Sequence, residues 1–528
     1  MKKLLLIIMA VAFSYSASAE SKNGIVYVKA GGTGAGTSWS DAKGDIQAAI
    51  NDAAADFTAR KDVWVASGEY SISTAILLAD SVNVYGGFAG TESSVNDRVK
   101  SSSKAWDFAN TTILKGNGQR LIETKAVFDL ETIVDGFTMT GGNGTGSQLT
   151  NAGGAIVMRG NTTVKNCIIK GNTATGNGGA VNMTGGTLKD SYIAENTGGA
   201  GGAVYSNPAT STPALIYACI IEKNLANGTG GGGAIRAQGT ASQTYMGNLL
   251  IINNQAKSTV LNAGGALYFN SVNCHISNSV IANNSGSNVI YMNGGEMGNS
   301  TVVNNIGGIY CASTTAAINL GNNVVWGCVT TDGTTATGIS GTGSAACVVS
   351  NNATYTSIPA AYTASNNITL PSNNTNGETD GKMGPDFVKV TTFKGATDDV
   401  ALIEEIHTAN WALKTGSPLI DKGMTIASIP DDIAGTTRPQ GSAYDIGAYE
   451  YTAGTGIQNN TADNGAIIYT EGKNVYILNA NGIKVEIYNI TGQLVKSVIA
   501  GDQNLTIDQP GIYIVKCGNY AQKIQVAR

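Results

Sequence analysis

In the middle third of the chain the apolar positions fall into short β-branched runs, each ending a few residues later at an asparagine. Asn166-Cys167-Ile168-Ile169 leads to Asn172, Ser191-Tyr192-Ile193 to Asn196, Cys219-Ile220-Ile221 to Asn224, Leu250-Ile251-Ile252 to Asn254, Val280-Ile281 to Asn284 and Thr301-Val302-Val303 to Asn305. A Gly-Gly-Ala triplet recurs between them, at Gly153-Gly154-Ala155, Gly178-Gly179-Ala180, Gly201-Gly202-Ala203, Gly232-Gly233-Ala234 and Gly264-Gly265-Ala266, at spacings of 25, 23, 31 and 32 residues. Runs this short, bounded by Gly and Asn, predict strands rather than helices. A repeat of this length cannot bury its apolar face alone, so the units must stack into a solenoid. The period is too short for propeller blades of roughly 40 to 50 residues, and there is no leucine-rich pattern. A parallel β-helix is what remains.

Equivalent residues of such coils lie above one another at about 4.8 Å, the ordinary inter-strand spacing, so the sequence reads as columns. Asn172, Asn196, Asn224, Asn254, Asn284 and Asn305 form one. Asn tolerates left-handed backbone at such turns, and stacked amides can hydrogen-bond along the axis, so this column is expected to be structural. Cys167, Ser191, Cys219, Ser279 and Ser300 form a second column of small residues, expected inside. Ser191 separates Cys167 from Cys219, leaving their Cα atoms roughly 10 Å apart, beyond the reach of a disulfide. Cys311, Cys328 and Cys347 have no assigned place, and a bridge among them stays open.

Outside the repeats, Ile25-Val26-Tyr27-Val28 predicts a strand, and about Asp41 to Ala55 a helix with Ile46, Ala49, Ile50 and Ala53 on one face, placed to cap the first coil. The last 70 or so residues alternate with period 2, as in Lys484 to Asn489 and Ile512 to Lys516, with turns at Asn481-Gly482 and Thr491-Gly492. That pattern predicts a small antiparallel β-sandwich. Met1 to Ala19 reads as a secretory signal peptide: Lys2 and Lys3, an apolar run from Leu4 to Phe13, and Ala17-Ser18-Ala19 before the cleavage point. No later run of 18 apolar residues predicts a membrane-spanning helix.

The start of the chain resembles the pectin-lyase-like superfamily of right-handed β-helices, in which a strand, a capping helix and a strand like Val63-Trp64-Val65-Ala66-Ser67-Gly68-Glu69-Tyr70 lead into the coils. Asn410 to Asp421, with Arg438-Pro439-Gln440-Gly441 and Asp445-Ile446-Gly447-Ala448-Tyr449-Glu450, resembles the choice-of-anchor Q segment that closes many bacterial surface β-helix proteins. Val485 to Val495, Gly511 to Lys516 and Lys523-Ile524-Gln525-Val526 resemble the type A sorting domain of the Bacteroidetes type IX secretion system. These resemblances imply an all-β, right-handed parallel β-helix with an N-terminal capping helix and a C-terminal sandwich that serves export. The expected boundaries are a signal peptide (1–19), an N-terminal strand and cap (20–60), the β-helix (61–350), a closing segment (351–452), a linker (453–465) and the sandwich (466–528).

Charge changes the functional picture more than it changes the fold. Charged residues are 13% of the 528, about half the usual share, and the net charge is -5. Nothing there offers a footprint for nucleic acid. The resemblance implies lyases that hold Ca²⁺ on carboxylates with an Arg or Lys base, or hydrolases with paired Asp, and both need acids close together. Between residues 150 and 310 the only acids are Asp190, Glu195, Glu222 and Glu296, with no two at i, i+2. The hydrolase motifs are absent as a set, Arg98-Val99-Lys100 matching one alone, and the two histidines, His275 and His407, are not flanked by Gly on both sides. Arg120, Glu123, Lys125, Asp129, Glu131 and Asp135 form the densest charged stretch. Asp129 and Glu131 share a face if both lie on one strand, which makes them the weak catalytic candidates.

A binding surface is the better expectation. Two residues past each triplet alanine stand Val157, Asn182, Tyr205, Arg236 and Tyr268, and the residue between is always apolar. Asn182, Tyr205, Arg236 and Tyr268 are therefore expected on an exposed ladder, one per coil, suited to a sugar or acidic glycan. The sequence thus favours a secreted, monomeric, non-enzymatic surface protein. Its partners would be a polysaccharide or cell-surface glycan and the type IX machinery. A polysaccharide lyase or glycoside hydrolase is the alternative. No cofactor is expected, and Ca²⁺ on turn carbonyls stays open.

Overall fold

The computed structural model describes residues 24–55, 61–147, 149–208, 212–257, 263–344, 346–370 and 384–451 of one compact unit. In a second unit it describes 452, 467–471, 473–478, 483–489, 491–499, 503–517 and 520–526. The expected signal peptide, the linker and the Asn481-Gly482 turn lie outside these residues.

Among the described residues of the first unit, three long parallel sheets run side by side. Sheet A has 13 strands, from Ile25–Val28 to Thr363–Ser365; sheet B has 12, from Gly68–Ile72 to Ile368–Thr369; sheet C has 10, from Ile76–Leu77 to Ile339–Ser340. A four-stranded sheet D (Thr173–Asn177, Thr197–Ala200, Leu225–Ala226, Gln255–Ala256) lies between B and C along the chain. Each repeat visits A, B and C and returns to A one coil further on, four of them passing through D between B and C, as in 162–165, 168–170, 173–177, 181–183 and 186–189. This is a right-handed parallel β-helix, the hand that parallel crossovers take in about 98% of cases. Strand pairing continues past the expected end at residue 350, to Thr369.

Inward apolar side chains, at least one from most strands, fill the interior. Val164, Leu188, Ile216, Met246 and Ile276 stack under sheet A, Ile169, Ile193, Ile221, Ile251 and Ile281 under B, and Ile156, Val181, Val204, Ile235 and Leu267 under C, all in one core. Helix α1 (Ile46–Ala55) buries Ile46, Ala49, Ile50 and Ala53 into the same core at the N-terminal end.

The Gly-Gly-Ala triplet packs coil against coil. Gly178 has φ +72°, and a Cβ on Gly179 would sit 2.1 Å from the Gly202 carbonyl oxygen of the next coil, so only glycine fits either place. The alanines that follow are fully buried.

The asparagine column is an amide ladder. Each of Asn172, Asn196, Asn224, Asn254 and Asn284 donates from its backbone N–H and its Nδ2 to the Oδ1 of the next asparagine, at 2.8 to 3.1 Å. Left-handed backbone, expected at these residues, falls one position earlier, at Glu195, Lys223, Asn253, Asn283 and Asn304 (φ +50° to +56°). That spares the ladder residue for side-chain bonding and puts the turn just before it. Cys328 takes the ladder position after Asn305, whose Nδ2 reaches its Sγ at 3.7 Å. The small-residue column is likewise buried, and it passes into a second ladder, Asn323 to Asn352 to Asn367.

The closing segment folds back over the outside of sheets A and B. Sheet B's outward residues in the later coils are apolar: Ile252, Val280, Val303, Val324 and Trp326 pack with Phe387, Trp411, Leu413 and Ile446. On sheet A, a Cβ on Gly298 would meet Ile426 at 3.6 Å, and one on Gly321 would meet Met424 at 2.5 Å. The left-handed asparagines hold the segment down. Asn253, Asn278, Asn283, Asn304, Asn322 and Asn351 each donate from Nδ2 to one of its backbone carbonyls at 2.7 to 3.1 Å.

The motif residues of the segment form a knot beneath this cover. Arg438 pairs with Glu450 at 2.8 Å, both side chains out of solvent, and Asp432, Asp445 and Glu450 accept backbone N–H groups.

The second unit is a sandwich of antiparallel sheets, 467–471/474–478/503–506 and 484–489/494–499/511–517/520–526, with Val475, Ile477, Val485, Ile487, Val515 and Val526 in its core.

Candidate functional site: a ladder along sheet C

Strand register places one outward side chain per coil in a single row on sheet C. The row runs Glu123, Val157, Asn182, Tyr205, Arg236, Tyr268, Tyr291 and Tyr310. Tyr291 and Tyr310 escape a reading anchored on the triplet, because their coils lack it. The signal that would have found them is the run Val289-Ile290-Tyr291 and its echo Gly308-Ile309-Tyr310, each with the inward isoleucine immediately before the tyrosine.

The ladder is less exposed than its residue types suggest. Asn182 is 3% and Tyr205 9% accessible, and Arg236, Tyr268 and Tyr310 are half-buried. The rings stack on one another: Tyr268 and Tyr291 are 4.9 Å apart at 21°, Tyr291 and Tyr310 5.7 Å apart at 11°. The Arg236 guanidinium lies over Tyr268, 4.5 Å from its centroid. Ring faces are thus used within the row, and the edges, phenol groups and guanidinium are what point outward. Burial raises the pKa of Tyr205, opposed by the neighbouring Arg236, and burial likewise raises that of Tyr291.

Beside the row lies a groove of about 340 Å³, lined by Thr175, Asn177, Tyr205, Thr229, Arg236 and Gln238. Arg236 donates from Nη1 to the Gly230 carbonyl, and its buried Nε has no hydrogen-bond partner. Among the described residues no carboxylate pairs with it. Groove and ladder together offer hydroxyls, amides and a cation at the repeat of the coils, about 4.8 Å.

Asp129 and Glu131 do not share a strand face. The strand begins only at Thr132, so both lie in the exposed turn before it rather than on one strand face. The Asp129 backbone N–H donates to Asp80, and a Glu131 carboxylate oxygen accepts from the Thr163 hydroxyl at 2.7 Å. Their charged neighbours are structural. Arg120 and Glu123 form a fully buried pair at 2.5 Å, and Arg120 also donates to the carbonyls of Gly144, Ala152 and Gly153, so the pair pins the 141–155 loop over the N-terminal end of the ladder. Arg98 pairs with Asp135 at 3.2 Å beneath Phe108.

Each histidine meets a carboxylate. His407, on helix α2 (Val400–Thr408), places Nε2 2.6 Å from Glu222, whose other oxygen accepts from Tyr192 at 2.9 Å. His275 stands outward on sheet A, stacked on Tyr245 at 5.0 Å, with Nδ1 3.3 Å from Glu296, which also accepts from Asn319 at 2.9 Å. Burial would raise the Glu296 pKa, but the bonds from His275 and Asn319 outweigh it and hold it low. The His275 Nε2 is buried without a hydrogen-bond partner. Among the described residues, no three His, Cys, Asp or Glu side chains are grouped to hold a metal, and no helix is long and apolar enough to cross a membrane.

Neither a family model nor a curated protein matches the chain. Among solved structures it is similar to one described as "Crystal structure of pectate lyase Pel9A", with 15% identity and a TM-score of 0.45 over 82% of this chain and 97% of that one. The stacked coils follow from the parallel strand register.

Proposed function

We propose that this is an exported, surface-displayed β-helix protein that binds an extended polysaccharide along sheet C without cleaving it. One observation carries the reading: a row of Tyr205, Arg236, Tyr268, Tyr291 and Tyr310 stands one per coil on the outer face of sheet C, and Tyr205 and Arg236 of that row line a groove beside it. Stacking fixes Tyr268, Tyr291 and Tyr310 before any ligand arrives, so a bound sugar chain need not order them, and pre-organisation of this kind favours binding. Sugar hydroxyls would meet phenol edges and the guanidinium. The N-terminal signal and the C-terminal sandwich would supply export and surface attachment. Mass spectrometry of the protein taken from the cell surface tests that part, by whether residues 466–528 remain.

The binding reading is tested by a glycan array with the full chain, wild type against Arg236→Ala and Tyr310→Ala. Binding lost in the variants supports it, and binding retained by both refutes it. A second reading, an enzyme, is favoured by one arrangement: a histidine oriented by Glu296 through Nδ1, with Nε2 unpartnered, has the form of a general base. Cleavage products that vanish in His275→Gln would establish it.

A further inference from the structure

We infer, on the basis of the binding reading above, that the polysaccharide bound along sheet C is a mainly neutral chain bearing isolated acidic sugars, and that Arg236 holds the carboxylate of one of them. Along the outward row in register from Val157 to Ser340, Arg236 is the one charged side chain. The groove beside the row has the same character. Thr175, Asn177, Tyr205, Thr229 and Gln238 are uncharged, and among the described residues Arg236 is the one charge that lines it.

The guanidinium is held in place without being neutralised. Arg236 is half-buried; its Nη1 donates to the Gly230 carbonyl, and its plane lies over Tyr268, 4.5 Å from the ring centroid. Neither contact supplies a negative charge, and Nη2 has no hydrogen-bond partner among the described residues. A cation drawn partly out of water is costly unless an anion meets it. Fixed and uncompensated, this side chain needs little reorganisation to form a charge-assisted bond to a carboxylate. Tyr205, its neighbour in register, lines the same groove, so the two oxygens of one carboxylate can accept from the guanidinium and from the phenol.

The rest of the row limits how much charge the ligand carries. An extended sugar chain advances per ring by a distance close to the coil spacing, about 4.8 Å, and so meets the row at one sugar per coil. A polymer acidic at every sugar would also set carboxylates against Tyr291 and Tyr310, where the row has no cation to offset the hydration they lose. The protein's net charge of -5 opposes such a polyanion further. Neutral sugars meet no such penalty, since tyrosine edges and phenols bond hydroxyls. One acid among several neutral sugars therefore fits this face, and an acid at each sugar does not.

The test titrates the full chain with a glucan, a galactan and a mannan whose primary hydroxyls have been oxidised to carboxylates on none, a small minority or all of the sugars. The sparsely acidic form of the polymer that binds is expected to bind about tenfold more tightly than its neutral parent, as one charge-assisted hydrogen bond allows. It should also bind more tightly than its fully acidic form. Arg236→Gln should bind the neutral and sparsely acidic forms equally and weakly, whereas Arg236→Lys, which keeps the charge, should keep a reduced preference for the acid. Affinity that is equal across the wild-type series, or that climbs to the fully acidic form, overturns the assigned charge pattern and leaves binding along sheet C standing. No binding of any polymer at any charge density overturns both. If the variants do not fold, the wild-type series decides alone.

Discussion

Sheets B and C belong to the same coils and share one core, yet their outward faces are built for different purposes. On sheet B the outward residues of the later coils are Ile252, Val280, Val303, Val324 and Trp326, and the closing segment lies on them. On sheet C they are Tyr205, Arg236, Tyr268, Tyr291 and Tyr310, the first two lining a groove. The inward residue of each strand is apolar in both sheets and is fixed by stacking. Freedom to specialise therefore lies in the outward position, where apolar residues call for a cover and a hydrogen-bonding aromatic row can meet a ligand.

The difference predicts where substitutions cost stability and where they cost binding. Arg438→Met should do the most damage, because it leaves Glu450 charged and buried without its partner; about 3–5 kcal/mol is expected, read by urea unfolding. Trp326 beneath the cover and Trp411 within it, both buried at their contact, should report its release by fluorescence. The same cover should respond to pH. Burial pushes the Asp445 pKa up to about 6. A raised carboxyl pKa stabilises the protonated form, so this contribution is full below about pH 4 and is lost as pH rises through about 6, on the order of 3 kcal/mol. Thermal melts should show a decline over that window that flattens in Asp445→Asn.

Asn254→Ala, in the middle of the ladder, strands the Asn224 donors and should cost about 1–3 kcal/mol, measured by denaturant midpoint. Tyr310→Ala, on the sheet C face, should cost less, about 1 kcal/mol by the same measurement, yet weaken glycan binding. A Tyr310→Ala cost matching that of Arg438→Met would erase the distinction between the faces.

The sequence carried the coils because stacking makes each position repeat. The paired asparagines, such as Asn253-Asn254 and Asn283-Asn284, were equally visible, but their division of labour was not: the second bonds the next coil, while the first holds a segment more than 100 residues away. Such contacts leave no local pattern. The same holds for His407 with Glu222. Asp129 and Glu131 misled because a strand boundary shifted by a few residues removes a shared face. The ladder was legible in part, through the triplet, and its last two members, Tyr291 and Tyr310, needed the inward isoleucines as the guide instead.

The central claim is binding along sheet C without cleavage. The most direct measurement incubates the full chain with a panel of polysaccharides, quantifies retention on the wild type and on Arg236→Ala of unchanged Tm, and analyses the recovered sugar by mass spectrometry. The account predicts retention of intact polymer by the wild type and its loss in the variant. No retention of any polymer, equal retention by both proteins, or shortened products would contradict it.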